Sequence, residues 1–214
     1  MRYKLIIFDL DGTILDTLED LHGSINHALS LSSFPHRSLE EVRSFVGNGI
    51  RKLVERSVPD SSSDDQLEQV YRDFISHYRL HCADHTRPYE GILEVICDIR
   101  QKGCQTAVVS NKADTEAKKL CQDYFPGLFD FVLGQRKEIP PKPDPAPINL
   151  VLNKLGISKE KALYIGDSEV DIATAVNTGI DAFYVDWGFR TASQLKAQGA
   201  EIILSSPREI IERL

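Results

Sequence analysis

Short runs of β-branched and aromatic residues recur along the chain, and stretches with helical periodicity separate most of them. The runs are Tyr3–Phe8, Gln105–Ser110, Asp130–Leu133, Ala162–Ile165, Asp181–Val185 and Glu201–Leu204. Runs such as "LIIF" and "TAVV" are continuously apolar rather than alternating, which is typical of strands buried on both faces. Helical patterns occur between them, for example at Gly91–Lys102 and Ala113–Tyr124. The sequence therefore predicts an α/β fold, a doubly wound, Rossmann-like parallel sheet covered by helices.

One interval breaks this alternation of strands and helices. Roughly ninety residues separate the first strand from the second, whereas a parallel crossover needs only about a dozen or more. Residues 16–84 carry helical periodicity, as in "QLEQVYRDFISHYRLH", and contain no convincing strand. The segment "PDSSSDD", Pro59–Asp65, is typical of a turn followed by a helix N-cap. We therefore expect an all-helical cap domain, residues 16–84, inserted into an α/β core domain formed by residues 1–15 and 85–214.

Composition narrows the possible partners and the compartment. The 214 residues are 42% hydrophobic, with a net charge of −7, so nucleic acid or an anionic membrane is a disfavoured partner. No stretch approaches the roughly 18 apolar residues of a membrane span. The apolar run before Asp9 is too short for a secretory signal. Four cysteines without C-x-x-C spacing indicate free thiols. We expect a cytoplasmic protein, either a monomer or a homodimer.

Two carboxylates end the first strand, in "LIIFDLDGTILDT". Asp9 and Asp11 are two residues apart, so in an extended strand their side chains point the same way. Neighbouring carboxylates disfavour each other's ionised form unless a positive charge compensates them. The sequence must therefore supply that compensation elsewhere.

Ligands of open α/β sheets bind at the carboxyl ends of the strands, and further polar residues follow those ends. They are Ser110, Asn111 and Lys112 after the second strand, Asp167 and Asp171 after the fourth, and Lys142 in the proline-rich segment "IPPKPDPAPI". Carboxylate oxygens suit Mg²⁺, which shares its coordination shell with water and phosphate oxygens. A lysine, a serine hydroxyl and helix-start N–H groups suit a phosphoryl group. Together they predict a metal-assisted phosphoryl-transfer site.

Four segments of the chain resemble, in order, the four motifs of the haloacid dehalogenase (HAD) superfamily of phosphohydrolases. They are "DLDGTILDT", "VVSNK", "PPKPDP" and "GDSEVD". The long helical insertion after the first motif is similar to the cap of that family. Within the superfamily the chain looks most like the phosphoglycolate phosphatase branch, on "GTILDTLEDL", "VGNGIRKLV", "SNK" and "GDSEVDI". The resemblance implies a Mg²⁺-dependent phosphatase for a small phosphomonoester, with 2-phosphoglycolate as the leading substrate.

The resemblance also implies catalytic roles. Asp9 would be the nucleophile that forms an aspartyl-phosphate, and Asp11 the general acid and base. Mg²⁺ would be held by the Asp9 carboxylate, the backbone carbonyl of Asp11 and the Asp167 carboxylate, with Asp171 as support.

Further residues would bind the substrate. Ser110 and Lys142 would hold the transferring oxygens, with Asn111 beside them. Thr13 would order the loop after the first strand. In the cap, Arg51 would meet the substrate's carboxylate or another anion of the leaving group.

Each of these residues also has a purely structural interpretation. Asp9 and Asp11 fit an Asp-Gly turn, Asp167 a helix N-cap and Asp171 a first-turn carboxylate. Ser110 fits a cap, Lys142 a solvated loop, and Lys112 either a substrate contact or a solvated helix start. "GNGIRKLV" fits a Gly-Asn-Gly turn opening an amphipathic helix. Trp187-Gly188-Phe189 fits either the border of the site or a packed loop. The cap histidines lack metal-ligand spacing on one face and are interpreted as surface or packing residues: His22, His27, His36, His77, His81 and His85.

Three other functions compete with the phosphatase. A sugar phosphomutase of the β-phosphoglucomutase type resembles this core and cap, and "SNK" discriminates against it only weakly. A pyrophosphatase or nucleotidase of the same superfamily is also compatible with the motifs. A receiver-like signalling domain also groups acidic residues and a lysine at strand ends, but the i, i+2 spacing of Asp9 and Asp11 and the large insertion disfavour it.

Overall fold

The structure is a computed structural model that describes residues 2–214, and this part of the chain divides into two compact units. The first unit comprises the described residues up to Leu15 together with Pro88–Leu214, and the second is Asp16–Arg87. The chain passes between them at two short strands, β2 (Leu15–Asp16) and β3 (Arg87–Pro88). These two strands form a small sheet of their own.

The first unit is built on a parallel sheet. Within residues 2–214 this sheet has six strands: β1 (Leu5–Phe8), β4 (Gln105–Ala113), β5 (Phe131–Gln135), β6 (Ala162–Gly166), β7 (Asp181–Val185) and β8 (Ile203–Leu204). Their order is β5-β4-β1-β6-β7-β8, and every neighbouring pair is parallel. The predicted α/β class with a doubly wound parallel sheet is confirmed.

Strand β1 lies at the centre of this sheet. Leu5 is in register with Gln105 of β4 on one side and with Ala162 of β6 on the other. After β1 the chain builds outward through β4 and β5, then crosses to the opposite side for β6, β7 and β8. The direction of winding therefore reverses around β1, and such a switch point is where α/β folds bind ligands.

The continuously apolar strands are buried, as their pattern predicts. Leu5, Ile6, Ile7 and Phe8 have no exposed surface. Leu5 and Ile7 pack in one cluster with Ile148 and Val151. The helices of this unit are α5 (Ile92–Gln101), α6 (Asp114–Tyr124), α7 (Ala146–Leu155), α8 (Glu169–Thr178), α9 (Ala192–Ala197) and α10 (Arg208–Arg213).

Apart from the residues of its two linker strands, all regular secondary structure of the second unit is helical. Its helices are α1 (Leu18–Leu31), α2 (Leu39–Phe45), α3 (Ile50–Ser57) and α4 (Asp64–His81). The helix N-cap predicted at "PDSSSDD" is confirmed, because Ser63 of this segment and Gln66 form a reciprocal capping box at the start of α4. The Gly-Asn-Gly turn also opens a helix as predicted: Gly49, with φ of +82°, is the N-cap of α3.

The second unit ends three residues beyond the predicted boundary at 84. The backbone N–H groups of His85 and Thr86 donate to the Asp20 carboxylate of α1, at 2.9 and 2.8 Å. The buried Thr86 hydroxyl donates to the same carboxylate at 2.7 Å. These bonds fasten residues 85–86 to the helical unit.

The four cysteines are free thiols, as predicted. Cys82, Cys104 and Cys121 are buried, and Cys97 is half-buried. Across residues 2–214, no helix is both long enough and apolar enough to cross a membrane.

Candidate active site

The predicted site residues of the first unit converge at the carboxyl ends of the central strands. Asp9 follows β1, Ser110 and Asn111 lie near the end of β4, and Asp167 follows β6. Three carboxylates, those of Asp9, Asp167 and Asp171, place oxygens within 4.8 Å of one another. All three residues are buried. Sheet topology thus gathers carboxylates that are far apart in sequence, and we call these three the aspartate cluster.

The ammonium group of Lys142 lies within this cluster. Its Nζ is 2.9 Å from Asp9 Oδ1 and 2.8 Å from Asp171 Oδ1. It also donates to the Tyr164 hydroxyl at 2.9 Å. Lys142 is only 4% exposed, so the interpretation as a solvated loop lysine is wrong. The three donors of the ammonium group all have protein acceptors.

The Asn111 side chain positions Lys142. Its Oδ1 accepts from the Lys142 backbone N–H at 2.9 Å, and its Nδ2 donates to the Lys142 carbonyl at 3.0 Å. This pair of bonds imitates a rung of a β-ladder between the end of β4 and the loop before α7. Asn111 therefore fixes the main chain of the lysine.

Asp171 accepts more hydrogen bonds than any other carboxylate of the cluster. Oδ1 accepts from Lys142 and from the Tyr164 hydroxyl, the latter at 2.5 Å. Oδ2 accepts from the backbone N–H groups of Asp167 and Ser168 and from the Ser168 hydroxyl, at 3.1, 3.0 and 2.6 Å. A carboxylate offers about four lone-pair positions, so these five donors saturate it. The arrangement favours a supporting role for Asp171.

Asp167 is oriented by two loops. Its Oδ1 accepts from the Thr13 hydroxyl at 3.0 Å, and its Oδ2 accepts from the Phe189 N–H at 2.8 Å. The Trp187 indole donates to the Thr13 carbonyl at 3.1 Å. The segment Trp187–Phe189 therefore borders the cluster, which decides between its two interpretations. Thr13 orders the loop after β1 and also contacts Asp167 directly.

Gly12 explains why a glycine follows the two aspartates of the first motif. Its φ is +85°, and a Cβ there would lie 2.3 Å from Asp167 Oδ2. The loop can approach the aspartate cluster this closely only without a side chain.

Burial and mutual repulsion control the ionisation of the cluster. Burial, assisted by Asp171, raises the pKa of Asp9 to about 7 despite the opposing effect of Lys142. Burial, followed by Asp171 and Asp9, raises the pKa of Asp167 well above its usual range. Burial also acts on Asp171, but Lys142 and the hydrogen bonds from Ser168 and Tyr164 lower its pKa. Lys142 stabilises the anions of both Asp171 and Asp9, but its single positive charge leaves the cluster incompletely compensated.

The donor set fits a divalent cation of the magnesium type. Among the described residues, the aspartate cluster sets three carboxylates against the single ammonium of Lys142. A dication would compensate the two remaining charges, and hard carboxylate oxygens are ligands that Mg²⁺ prefers. The residues present therefore fit the ion that the family resemblance implies.

Asp11 lies apart from the aspartate cluster and is paired with Lys112. The Lys112 Nζ donates to Asp11 Oδ1 and Oδ2 at 2.9 and 3.2 Å. The Lys112 side chain is only 2% exposed, so the interpretation as a solvated helix start is wrong. The Ser110 Oγ accepts from the Lys112 N–H at 3.2 Å. Within the "SNK" segment, Lys112 thus binds the Asp11 carboxylate, and the Ser110 hydroxyl binds the backbone of the same segment.

Arg51 lies on α3 of the helical unit, where it forms ion pairs with acidic side chains. Its guanidinium is 3.3 Å from Glu55 and 2.5 Å from Glu68, and it lies over the Tyr71 ring at 5.3 Å. The hydrogen bond that Arg51 donates to Glu68 is the main reason why the pKa of Arg51 is raised. Its role with a substrate anion stays a prediction.

Sequence reasoning missed some groups that shape the site. Tyr164 lies inside β6 in an apolar run and gave no signal, because a buried tyrosine there is interpreted as core. Ser168 could have been found, since a serine three residues before Asp171 matches a capping box. The ion pair of Lys112 with Asp11 had no signal in the sequence, because a pairing across 101 residues depends on strand order.

Comparisons with known proteins agree with this geometry. A family model for haloacid dehalogenase-like hydrolases matches residues 6–185. The chain is 32% identical over 216 residues to N-acetylmuramic acid 6-phosphate phosphatase of Pseudomonas aeruginosa, covering 100% of this chain and 96% of that one. It is also 32% identical over 216 residues to the phosphoglycolate phosphatase of Chromobacterium violaceum, covering 98% and 95%.

Solved structures give the same result. A crystal structure of a candidate phosphoglycolate phosphatase from Lactobacillus delbrueckii subsp. bulgaricus matches with a TM-score of 0.95 and 35% identity, covering 100% of this chain and 98% of that one. A crystal structure of a predicted phosphoglycolate phosphatase from Haemophilus somnus matches with a TM-score of 0.92 and 28% identity, covering 100% and 98%. The resemblance drawn from the four motifs is confirmed. The chain therefore belongs to the haloacid dehalogenase-like hydrolase family, and it is an enzyme of the phosphoric monoester hydrolase class.

Proposed function

We propose that the protein hydrolyses a small phosphomonoester with Mg²⁺, through an aspartyl-phosphate formed on Asp9. The observation that carries this proposal is the buried aspartate cluster at the end of β1, with Lys142 bonded to two of its members. A carboxylate beside a lysine and a dication is suited to nucleophilic attack on a phosphoryl group, because that transfer depends on positioning and charge neutralisation.

The proposed reaction has two steps that balance in bonds and protons. First, with Asp11 in its carboxylic acid form, an Asp9 oxygen bonds to phosphorus, the bond from phosphorus to the leaving oxygen breaks, and Asp11 gives its proton to that oxygen. Second, Asp11 takes a proton from water, which attacks phosphorus and releases Asp9. The hydrogen bond from the Leu10 N–H at 2.7 Å and the contact with Lys142 orient the Asp9 carboxylate.

The binding groups act before and during this transfer. Lys142 supplies positive charge beside the phosphoryl oxygens, the Ser110 hydroxyl donates to them, and Asn111 contributes by fixing the Lys142 main chain. Asp9, the Asp11 carbonyl and Asp167, with Asp171 in support, would hold Mg²⁺, which would neutralise charge on the phosphoryl oxygens when bound. Asp167→Asn is expected to raise the Mg²⁺ concentration that gives half-maximal activity. An unchanged metal titration would remove Asp167 from the metal site.

The leading substrate is 2-phosphoglycolate, because a similar protein and two similar solved structures are named as phosphoglycolate phosphatases. N-acetylmuramic acid 6-phosphate is the second candidate, because a relative of equal identity over the whole chain is named for it. Both molecules carry a carboxylate in addition to the phosphate. A carboxylated phosphomonoester is therefore the substrate class we propose, and Arg51 stays the predicted contact for that carboxylate. Free thiols in all four cysteines support a reducing, cytoplasmic location.

The first test is Mg²⁺-dependent phosphate release from a substrate panel. The panel comprises 2-phosphoglycolate, N-acetylmuramic acid 6-phosphate, pyrophosphate, nucleoside monophosphates, hexose phosphates and p-nitrophenyl phosphate. Asp9→Asn is expected to abolish release, since it removes the nucleophile with little change in volume. Asp123→Asn is the matched control, because Asp123 is an exposed partner of Lys119 on α6.

The outcomes separate chemistry from substrate. Preference for a carboxylated substrate, lost in Asp9→Asn and kept in Asp123→Asn, would support the whole proposal. Slow release of phosphate from every substrate would support the proposed hydrolysis but contradict the carboxylated substrate class. A phosphomutase assay would then be the next experiment. Substantial turnover by Asp9→Asn would contradict the covalent mechanism.

A further inference from the structure

A bidentate ion pair lies next to the aspartate cluster in the chain, and the proposed mechanism does not use it. The Arg190 Nε donates to Glu169 Oε2 at 2.8 Å, and the Arg190 Nη2 donates to Glu169 Oε1 at 2.9 Å. The Arg190 side chain is only 8% exposed, although it is charged. Two parallel hydrogen bonds between a guanidinium and a carboxylate fix the orientation of both groups, which a single contact does not.

The Arg190–Glu169 pair joins the two segments that contain or contact Asp167. Glu169 is the first residue of α8, two residues after Asp167. Arg190 directly follows Phe189, whose backbone N–H donates to Asp167 Oδ2 at 2.8 Å. The pair therefore ties the start of α8 to the loop after β7, although the two residues are 21 positions apart. Breaking the pair would release the loop that supplies this N–H group.

The loop after β7 fits closely around Asp167. A Cβ at Gly188 would overlap both the Gly12 carbonyl and the Asp167 side chain. The Trp187 indole fixes the beginning of the same loop through its bond to the Thr13 carbonyl. A small displacement of this loop would therefore change the orientation of the Asp167 carboxylate.

We propose that Arg190 and Glu169 are positioning residues for the divalent cation, which act by holding the Phe189 N–H against Asp167. This inference rests on the proposed function, in which Asp167 is a Mg²⁺ ligand. Among the described residues, Thr13 donates to one Asp167 oxygen and Phe189 to the other, so about two of the roughly four lone-pair positions stay available to a cation. Groups that orient a metal ligand typically contribute about 10–100-fold to metal affinity.

Charge alone predicts the opposite effect for one half of the pair. Arg190 carries a positive charge near the aspartate cluster, so its removal should strengthen the binding of a cation by simple electrostatics. Removal of a positioning residue should instead weaken that binding. A residue with only a general structural role would change stability and leave metal affinity unchanged. The direction of the change in Mg²⁺ affinity in Arg190→Met therefore separates these three roles.

The test is titration of the full chain with Mg²⁺ in the absence of substrate, followed by isothermal calorimetry. Arg190→Met is expected to raise the dissociation constant for Mg²⁺ about 10–100-fold. Arg190→Lys is expected to raise it less, since lysine keeps the charge but cannot form both hydrogen bonds. At saturating Mg²⁺, kcat and KM for p-nitrophenyl phosphate are expected to stay close to the wild-type values, because a positioning residue does not contact the substrate.

A second variant tests whether the two side chains act through their mutual contact. Glu169→Met removes both acceptors of Arg190. The double variant Arg190→Met/Glu169→Met is expected to bind Mg²⁺ no more weakly than the weaker single variant, and additive losses would contradict the inference. Arg100→Met is the matched control, because Arg100 also donates to one carboxylate with two nitrogens, but to Asp130 at the amino end of β5. Its Mg²⁺ affinity is expected to equal that of the wild type.

The outcomes for this inference and for the proposed function are distinguishable. Wild-type or tighter Mg²⁺ binding by Arg190→Met would overturn the role of Arg190, and urea denaturation shows whether that variant is folded. If Arg190→Met does not fold, the same criterion applies to Arg190→Lys. Weak Mg²⁺ binding by Asp167→Asn, together with wild-type binding by Arg190→Met, would overturn this inference alone. If Asp167→Asn binds Mg²⁺ as tightly as the wild type, the proposed metal site fails and the inference fails with it.

Discussion

Ion pairs in the two units of the molecule differ in burial. In the first unit, Lys142 and Asp171 have side chains that are 2% and 0% exposed. In the helical unit, Arg51 and Glu68 have side chains that are 47% and 44% exposed. Breaking a buried pair leaves an uncompensated charge, which costs about 3–5 kcal/mol, whereas an exposed pair contributes about 0–1 kcal/mol. The site carboxylates are thus tightly constrained by their neighbours, and the charged surface of the helical unit can change at little energetic cost.

Asp171→Asn is expected to produce the largest combined effect on stability and phosphatase activity. It removes the charge that holds Lys142 while keeping the volume of the side chain. The free energy of unfolding of the first unit is expected to fall by about 3–5 kcal/mol, the cost of breaking a buried pair. Phosphatase activity is expected to fall as well, since Lys142 loses its anchor. Urea denaturation and kcat measure the two effects. The pair of Asp123 with Lys119 is exposed. If Asp171→Asn lowered the free energy of unfolding no more than Asp123→Asn does, the distinction between buried and exposed pairs would be contradicted.

Gly12→Ala is expected to disturb the aspartate cluster, which is the proposed Mg²⁺ site. The variant adds strain at a φ of +85° and a Cβ that would meet Asp167 Oδ2 at 2.3 Å. Strain alone costs about 1–2 kcal/mol, and displacement of Asp167 should raise the Mg²⁺ requirement. Gly91→Ala is the matched control, because Gly91 has φ of +82° with no described atom within 4 Å of its added Cβ. Equal metal titrations for the two variants would show that the close approach to Asp167 is unimportant.

Lys112→Met tests a partly buried ion pair of the first unit, the one between Lys112 and Asp11. The change leaves Asp11 without the ammonium group that binds both of its oxygens. We expect kcat to fall about 10²-fold, the lower range for a general acid–base group, with a smaller change in KM. Lys118→Met on the neighbouring helix is the control, since Lys118 pairs with Asp114 at the surface. A change confined to KM would indicate that Lys112 binds substrate instead of positioning Asp11.

Arg51→Ala is expected to have the smallest effect on stability. Its exposed pairs with Glu55 and Glu68 contribute about 0–1 kcal/mol. If Arg51 binds the substrate's carboxylate, KM for 2-phosphoglycolate should rise more than KM for p-nitrophenyl phosphate. Arg56→Ala is the control on the same helix, because Arg56 donates to the Phe45 carbonyl and the Asn48 side chain. Equal effects on both substrates would indicate that Arg51 does not bind the substrate's carboxylate and is a surface residue.

The difference between the units also explains what the sequence could predict. Asp9, Ser110 and Asp167 were placed together because parallel strands bring their carboxyl ends to one edge of a sheet. Continuously apolar runs made those strands recognisable, and their order in the sheet follows a known switch-point arrangement. The general site was therefore predictable from a handful of short segments.

The remaining features depend on side-chain geometry that no short segment contains. The Lys112–Asp11 pair joins residues 101 positions apart, and the Tyr164 hydroxyl enters the site from inside an apolar strand. The rings of His27 and His77 stack on each other because α1 packs against α4, and the two residues come from different helices. Spacing within one helix gives no information on such a contact.

The two hydrogen bonds between Asn111 and the Lys142 main chain have a consequence for variation in loop length. They fix Lys142 to the end of β4, whatever route the chain takes from β5 to reach that point. Insertions or deletions at the exposed residues 137 and 138 can therefore be absorbed by the loop without moving the lysine. The same change placed after Lys142 would shift α7 instead, against the core that Ile148 and Val151 form with β1. Homologous enzymes should accordingly vary in length before this lysine and keep a constant spacing after it.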